Sequence, residues 1–161
     1  MDALDVVVPD EAASCRLAAD LAAVLPARAW VTLSGDLGAG KTTFVKAVAA
    51  AVGIDPAEVV SPTFGLVHEH ASGDRRLIHA DMYRLVDPDD LREIGWEDLA
   101  IGPGWRLVEW PERIARHLPV DRLDVMIDIL SPVARRLRFT AAGPDHAAAL
   151  DRLANRRPAG V

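Results

Sequence analysis

The chain has 161 residues, of which half are hydrophobic and 26% are charged, a composition typical of a soluble globular protein that can bury its own core. A net charge of −6 argues against a protein that holds nucleic acid unaided, because no domain-wide positive field exists. Its single cysteine excludes an internal disulfide and a multi-cysteine zinc site. The acidic N-terminus is not a signal peptide and no apolar run approaches ~18 residues, so we expect a cytoplasmic protein without a membrane span.

The hydrophobic pattern predicts strands and helices that alternate along one domain, residues 1–154, followed by a frayed tail over 155–161. Strands are predicted over 5–8, 30–33, 63–71, 76–83, 105–109, 123–130 and 136–141. Helices are predicted over 11–25, 42–52, 87–94, 96–100, 111–118 and 145–154. A hairpin turn at 72–74 and an antiparallel final strand pair indicate a mixed sheet. The sequence therefore predicts a three-layer α/β fold with a mixed, partly antiparallel central sheet.

The second predicted strand leads directly into GDLGAGKT, which fits the phosphate-binding pattern G-x-x-x-x-G-K-[ST] at every constrained position. Strand, glycine loop and helix start follow in the order that lets backbone N–H groups and the helix dipole cradle a polyphosphate. We expect Lys41 to neutralise the β- and γ-phosphates and the Thr42 hydroxyl to coordinate Mg²⁺. The alternative is a turn that only joins a strand to a helix. The predicted nucleotide contacts are Gly35, Asp36, Leu37, Gly38, Ala39, Gly40, Lys41, Thr42 and Thr43.

A phosphate loop also needs a carboxylate near Mg²⁺, usually at the end of a neighbouring buried strand, and two acids are candidates. Glu109 follows the apolar residues Leu107 and Val108, and a helix is predicted after it, so it has the better context. Asp81 ends the predicted hairpin. Either acid could instead cap a helix or pair with an arginine.

The chain contains no glutamine, which excludes a hydrolase that orients its water with that side chain. Asp81 and Thr63 are therefore the candidates for placing the attacking water. Asn155 is the only asparagine, so an Asn-Lys-x-Asp guanine motif is excluded and ATP is favoured over GTP. Residues 61–64 lie where P-loop proteins carry a nucleotide-sensing switch, although a plain turn entering a strand is an equal alternative.

Histidines and arginines outside these motifs have simpler interpretations. We expect His68, His70 and His79 on an exposed sheet face rather than at a metal site. The arginines at 135, 136, 138, 156 and 157 are expected to be solvated charges, with phosphate or RNA contact as the alternative.

Four segments, GDLGAGKTTF, SPTF, HADMYRL and EWPER, occur in this order and together resemble the TsaE (YjeE-type) family. These are the small P-loop ATPases of bacterial tRNA threonylcarbamoyladenosine synthesis, and the resemblance covers residues 5–140. It implies a P-loop NTPase-like three-layer fold with a mixed central sheet. It also implies a cytoplasmic protein that binds ATP with Mg²⁺ and hydrolyses it weakly. It also implies two partners, the TsaD and TsaB proteins, which modify the adenosine beside the anticodon, so that tRNA is reached only through that complex.

The same resemblance assigns roles to matched positions. Lys41 and Thr42 match phosphate and Mg²⁺ ligands, and Glu109 matches the strand-end acid for Mg²⁺. Asp81 matches a residue needed for hydrolysis, and Trp110 matches an aromatic at the nucleotide site. The segment 131–136 departs from the family, because Ser-Pro-Val stands where a glycine-containing turn approaches the adenine.

Two other functions are compatible with a phosphate loop. A small-molecule or nucleoside kinase would carry an arginine-rich lid, but the stretch 87–104 is acidic and has Arg92 as its only arginine. A nucleotide-gated binding module with negligible turnover would differ from an ATPase only in its rate.

Overall fold

The computed structural model describes residues 1–60 and 66–157, which fold around one seven-stranded sheet. The strands are β1 Ala3–Val8, β2 Arg28–Ser34, β3 Val67–Ser72, β4 Arg75–Asp81, β5 Gly104–Glu109, β6 Arg122–Ile129 and β7 Arg135–Ala142. The α-helices are α1 Glu11–Ala22, α2 Lys41–Ala51, α3 Trp96–Leu99 and α4 Pro144–Arg156. Short 3₁₀ segments span Pro56–Glu58, Pro88–Arg92 and Pro111–His117.

The sheet is mixed, as the sequence predicts, with the strand order β1-β7-β6-β2-β5-β4-β3. Parallel ladders join β2 to β5 and β6 and join β4 to β5. Antiparallel ladders join β3 to β4, β6 to β7 and β1 to β7. Because parallel strands end at the same edge of a sheet, the loop after β2 meets the acids that end β4 and β5.

Two apolar clusters lie on opposite faces of the sheet, because neighbouring residues of a strand point to opposite sides. The larger one packs α1, α2 and α4 through residues such as Leu17, Phe44 and Leu150 against the sheet. The smaller one covers β4 and β5 with α3 and the 3₁₀ segments Pro88–Arg92 and Pro111–His117, and in it Trp30 meets Trp96 edge to face with ring centroids 5.7 Å apart. This gives the predicted three layers, with one layer much thinner.

Element bounds differ from the sequence prediction in several places. The helices expected at 87–94 and 111–118 are 3₁₀ segments, each with proline at its first position. The second of them is interrupted at Ile114, whose φ of −130° takes a buried side chain into the smaller cluster. Helix α4 extends to Arg156, two residues further than predicted, and residues 158–161 of the expected tail lie outside the described part of the chain.

A buried histidine ties α4 to the start of β2. His146 Nε2 accepts from the Trp30 N–H at 3.1 Å, so Nδ1 carries the hydrogen that it donates to Asp121 Oδ1 at 2.5 Å. Asp121 also accepts from the N–H groups of Asp145 and His146 at the first turn of α4. Burial alone would raise the pKa of Asp121, but the hydrogen bond from His146 and those from the two backbone amides outweigh it and lower the pKa.

Another buried side chain, Arg106 of β5, holds the loop that precedes its own strand. Its guanidinium donates to the carbonyl oxygens of Leu99, Ile101, Gly102 and Gly104 at 2.6–3.0 Å. Burial lowers the pKa of Arg106 to about 10.

No helix in the described part of the chain combines the length and apolar character that crossing a bilayer requires.

Candidate functional site

The loop between β2 and α2 has a shape that requires glycine at two positions. Gly40, which precedes the first residue of α2, has a φ of 102°, in the left-handed region that glycine adopts freely. A β-carbon on Gly35 would lie 2.6 Å from the carbonyl oxygen of Ile127, so only glycine fits where the loop passes β6. No described side chain caps the first turn of α2, and its N–H groups can therefore serve an anion.

Lys41 is folded back into this loop and is only 5% exposed. Its ammonium donates to the carbonyl oxygens of Gly35 at 2.6 Å and Asp36 at 3.0 Å. It also lies 4.3 Å from the centroid of the Trp110 ring, within the range of a cation–π contact. Burial lowers the pKa of Lys41, while the negative charges of Glu109 and Asp81 oppose that shift.

Glu109 links the start of α2 to the sheet. The Thr42 hydroxyl lies 3.0 Å from both carboxylate oxygens of Glu109, which is 2% exposed. On the other side, His79 Nε2 lies 2.5 Å from Glu109 Oε2. Hydroxyl and carboxylate oxygens are ligands that Mg²⁺ accepts, and Mg²⁺ is usually held by one or two such groups together with substrate phosphates. Thr42 and Glu109 therefore fit a cation that arrives with a nucleotide.

Asp81 and Glu109 occupy paired positions at the ends of β4 and β5, so both acids face the same cleft. Asp81 Oδ1 accepts from the N–H of Tyr83 at 3.0 Å, which orients the carboxylate at the strand end. Trp110, the next residue after Glu109, has a φ of 57°, and its ring lies 4.9 Å from that of Tyr83. The turn after β5 thus brings an aromatic side chain beside the lysine.

The cleft has a volume of about 360 Å³ and collects most of the predicted site residues. Its predicted lining residues are Leu37, Gly38, Gly40, Lys41, Thr42, Thr43, Asp81, Glu109 and Trp110, joined by Tyr83 and Arg84. Gly35, Asp36 and Ala39 belong to the same loop. Thr63, together with the rest of the predicted switch segment 61–64, lies outside the described residues.

Two residues near the cleft differ from what the sequence predicts. The expectation that His79 lies on an exposed sheet face is wrong, because it is 0% exposed and bonded to Glu109. Its spacing from Asp81 carried a signal, since residues two apart on a strand share a face. His68 and His70 are half-buried, and no group of three potential metal ligands occurs among the described histidines, cysteines and acids.

Arg135 is the second of these residues, since it was expected to be a solvated charge. Instead its guanidinium donates to the carbonyl oxygens of Ala39 at 2.9 Å and Gly38 at 3.3 Å. Arg135, the first residue of β7, thereby holds the part of the loop that directly precedes α2. Arg136 and Arg138 are exposed, as predicted, and Arg138 pairs with Asp5 at 2.9 Å. Arg135 also donates to the nearby carbonyl oxygens of Ser131 and Ala134, both at 2.9 Å. No local pattern distinguishes it from its neighbours, because the loop residues that it holds lie 96 and 97 positions away.

Comparisons with known proteins agree on one family. A family model described as threonylcarbamoyl adenosine biosynthesis protein TsaE matches residues 8–137, a span that contains every residue lining the cleft. The tRNA threonylcarbamoyladenosine biosynthesis protein TsaE of Bacillus subtilis is 42% identical over 113 residues, 70% of each chain. Its counterpart from Aquifex aeolicus is 40% identical over 136 residues, 84% of this chain and 94% of the relative. The crystal structure of Bacillus subtilis YdiB superposes with a TM-score of 0.78 at 30% identity, covering 96% of this chain and 95% of that one.

Proposed function

Because the chain belongs to the TsaE family of threonylcarbamoyl adenosine biosynthesis proteins, we propose that it is the family's ATPase subunit, binding ATP and Mg²⁺ in this cleft. The observation that carries the proposal is the Thr42–Glu109 pair at the uncapped start of α2, beside a buried lysine. Backbone N–H groups, an ammonium and two oxygen ligands are what a nucleotide polyphosphate and its cation require.

Each group has a distinct part in binding. The α2 N–H groups and Lys41 supply positive charge to the phosphates, and Lys41 reaches them by exchanging its bonds to Gly35 and Asp36 for bonds to phosphate oxygens. Thr42 and Glu109 hold Mg²⁺ directly or through water. When bound, the cation neutralises charge on the phosphates during hydrolysis. Arg135 keeps the loop in place by donating to two of its carbonyl oxygens.

Hydrolysis needs a group that places water, and Asp81 is the acid in position to do so. It lines the cleft beside Glu109 and is oriented by the Tyr83 N–H. Thr63 is the hydroxyl that we assign to the same task. The lack of any glutamine in the chain favours slow turnover of the isolated protein, because the usual water-orienting side chain is missing.

A slow nucleotide switch needs a partner, and we assign that part to the TsaD and TsaB proteins in the cytoplasm. The net charge of −6 disfavours direct tRNA binding, so tRNA would be met only through the complex. Residues 61–64 are placed in the sequence to report the γ-phosphate to such a partner.

The test is calorimetric titration of ATP into wild type and Lys41→Ala. Loss of a charge-assisted phosphate contact costs ~1.5–3 kcal/mol, so the affinity should fall about 10–150-fold. Lys46→Ala is the matched control, since it removes the only other lysine of the chain from the same helix. Equal affinity of Lys41→Ala and wild type would contradict the assignment.

The same proteins test the partnership. ATP should promote binding to a purified TsaB–TsaD pair and the pair should raise turnover, neither of which occurs with Lys41→Ala. Asp81→Ala should bind ATP normally and turn it over more slowly. ATP consumption that follows a small-molecule acceptor and ignores the TsaB–TsaD pair would instead indicate a kinase.

A further inference from the structure

His79 is a buried histidine that uses only part of its hydrogen-bonding capacity. It lies on β4, two residues before Asp81, and its side chain is fully buried. Nε2 lies 2.5 Å from Glu109 Oε2, whereas Nδ1 has no hydrogen-bond partner within the described residues. Since an ionised carboxylate only accepts, we assign an N–H to Nε2.

This arrangement is unfavourable for a residue that serves packing alone. A buried nitrogen without a partner has lost its hydrogen bond to water and gained nothing in return. Apolar side chains fit the same layer, because Leu77 and Leu107 are buried two residues before His79 and Glu109 on the same faces of β4 and β5. The hydrogen bond that His79 does make goes to an acid of the cleft, which indicates that its role concerns that acid.

Glu109 requires a donor besides Thr42. The Thr42 hydroxyl is equally distant from the two carboxylate oxygens, at 3.0 Å, but it has a single hydrogen to donate. It therefore does not select one oxygen over the other. His79 donates to Oε2 alone, and it lies on β4, which is paired with β3 on one side and β5 on the other. The His79 imidazole therefore determines that Oε2, and not Oε1, carries the hydrogen bond from the sheet.

We propose that His79 is the positioning residue for the divalent cation: by donating to Glu109 Oε2 it fixes the carboxylate beside Thr42 and leaves Oε1 for Mg²⁺ or its bound water. This inference rests on the proposed function, because it names the residue that tunes the metal affinity of that site. Removing a hydrogen bond behind a metal ligand typically lowers metal affinity about 10–100-fold.

Three variants of the full chain test the role. His79→Leu removes the donor, and His79→Gln keeps an amide N–H that can reach the Nε2 position. His70→Leu is the matched control, because His70 lies on neighbouring β3 and contacts the ring of His68 rather than Glu109. Its Nε2 is also buried and has no hydrogen-bond partner in the part of the chain that the structure describes. ATP affinity is measured by calorimetry across a series of Mg²⁺ concentrations and in EDTA, and a thermal melt of each variant verifies folding.

We expect His79→Leu to raise the Mg²⁺ concentration for half-maximal ATP binding about 10-fold or more while leaving the affinity in EDTA unchanged. His79→Gln should recover most of the loss, and His70→Leu should match wild type. If His79→Leu does not fold, His79→Asn replaces it, since its amide is too short to reach Glu109, and the same results are expected.

Two results would overturn the inference. One is a wild-type Mg²⁺ requirement in the variant that lacks the donor. The other is an equal loss of affinity with Mg²⁺ and in EDTA, which indicates packing alone. Failure of the wild-type protein to bind ATP at all would remove the proposed function itself, whereas Mg²⁺-dependent binding that is indifferent to His79 would remove this inference alone.

Discussion

Two histidine–carboxylate pairs of equal length occupy different regions of the molecule. The nitrogen–oxygen distance is 2.5 Å both between His146 and Asp121 beneath α4 and between His79 and Glu109 beside the cleft. In the first pair the second ring nitrogen accepts from Trp30, and the acid also accepts from two backbone amides. In the second pair the other ring nitrogen has no partner among the described residues, and the acid is shared with a hydroxyl.

The comparison shows that the nitrogen–oxygen distance does not distinguish the two pairs. The other hydrogen bonds of the histidine and of the acid do. The pair at α4 is saturated, and the side chain of Asp121 is still 33% exposed, so water stabilises its charge. Glu109 is 2% exposed and has the Thr42 hydroxyl and His79 as its side-chain partners among the described residues. A carboxylate in so dry a setting is stabilised when a cation lies beside it. The saturated pair therefore stabilises the fold, whereas the incomplete pair is the one that we assign to the proposed cation site.

Truncating the saturated pair should have the largest effect on stability. His146→Ala leaves the Trp30 N–H and the Asp121 carboxylate without their partner and opens a cavity beneath α4. We expect the free energy of unfolding to fall by about 2–4 kcal/mol, measured by urea denaturation. ATP affinity of the folded fraction should stay within about 2-fold of wild type. A loss of affinity without a loss of stability would reverse the distinction between the pairs.

Neutralising the acid of the incomplete pair should affect binding rather than stability. Glu109→Gln keeps the shape of the side chain and removes a buried charge, so we expect the free energy of unfolding to change by less than about 1 kcal/mol. The gain in ATP affinity on adding Mg²⁺ should shrink about 10-fold, because an amide is a poorer ligand for the cation. An unaltered Mg²⁺ dependence in calorimetry would place Glu109 with Asp121, as an architectural acid.

The smallest effect is expected at Asp121, and it depends on pH. The pKa of Asp121 is lower in the folded protein than the usual ~3.9. Its contribution to the free energy of unfolding is therefore fully present above the usual value and is lost as the pH falls through the lowered pKa. Asp121→Asn should cost about 0.5–1 kcal/mol at neutral pH, and the difference from wild type should shrink below about pH 4. Urea titrations at several pH values measure it, with Asp74→Asn in the exposed hairpin turn as the control for lost charge. A difference that is independent of pH would show that charge is not involved.

Much of this fold can be predicted from the sequence, because many of its strands and helices follow from patterns among neighbouring residues. The strand–loop–helix unit around Lys41 follows from periodicity and one motif, and the antiparallel pair β6–β7 follows from two closely spaced apolar runs. The type of helix after Asp87 and Trp110 was missed, because short proline-led segments are shaped by the cluster into which Leu91 and Ile114 pack.

The site was predictable where its residues belong to motifs and not where they meet only in three dimensions. Lys41, Thr42, Asp81 and Glu109 converge because parallel strands end together, which topology alone dictates. The spacing of His79 from Asp81 indicates a shared face, but its burial depends on which sheet face the large helices cover. The bonds of Arg135 to the loop carbonyls of Ala39 and Gly38 span almost 100 residues and leave no local pattern in the sequence.

The carbonyl oxygens of Gly35 and Asp36 accept from the Lys41 ammonium, so they compete with any bound anion for that donor. In the free protein the loop is already ordered around the ammonium, so it loses little conformational freedom when a ligand arrives. A ligand must then offer that nitrogen a better acceptor than two peptide carbonyls. A polyphosphate does so through its charge, whereas a neutral molecule of the same size does not. In the proposed function, this exchange of acceptors would favour highly charged anions independently of any contact with the base.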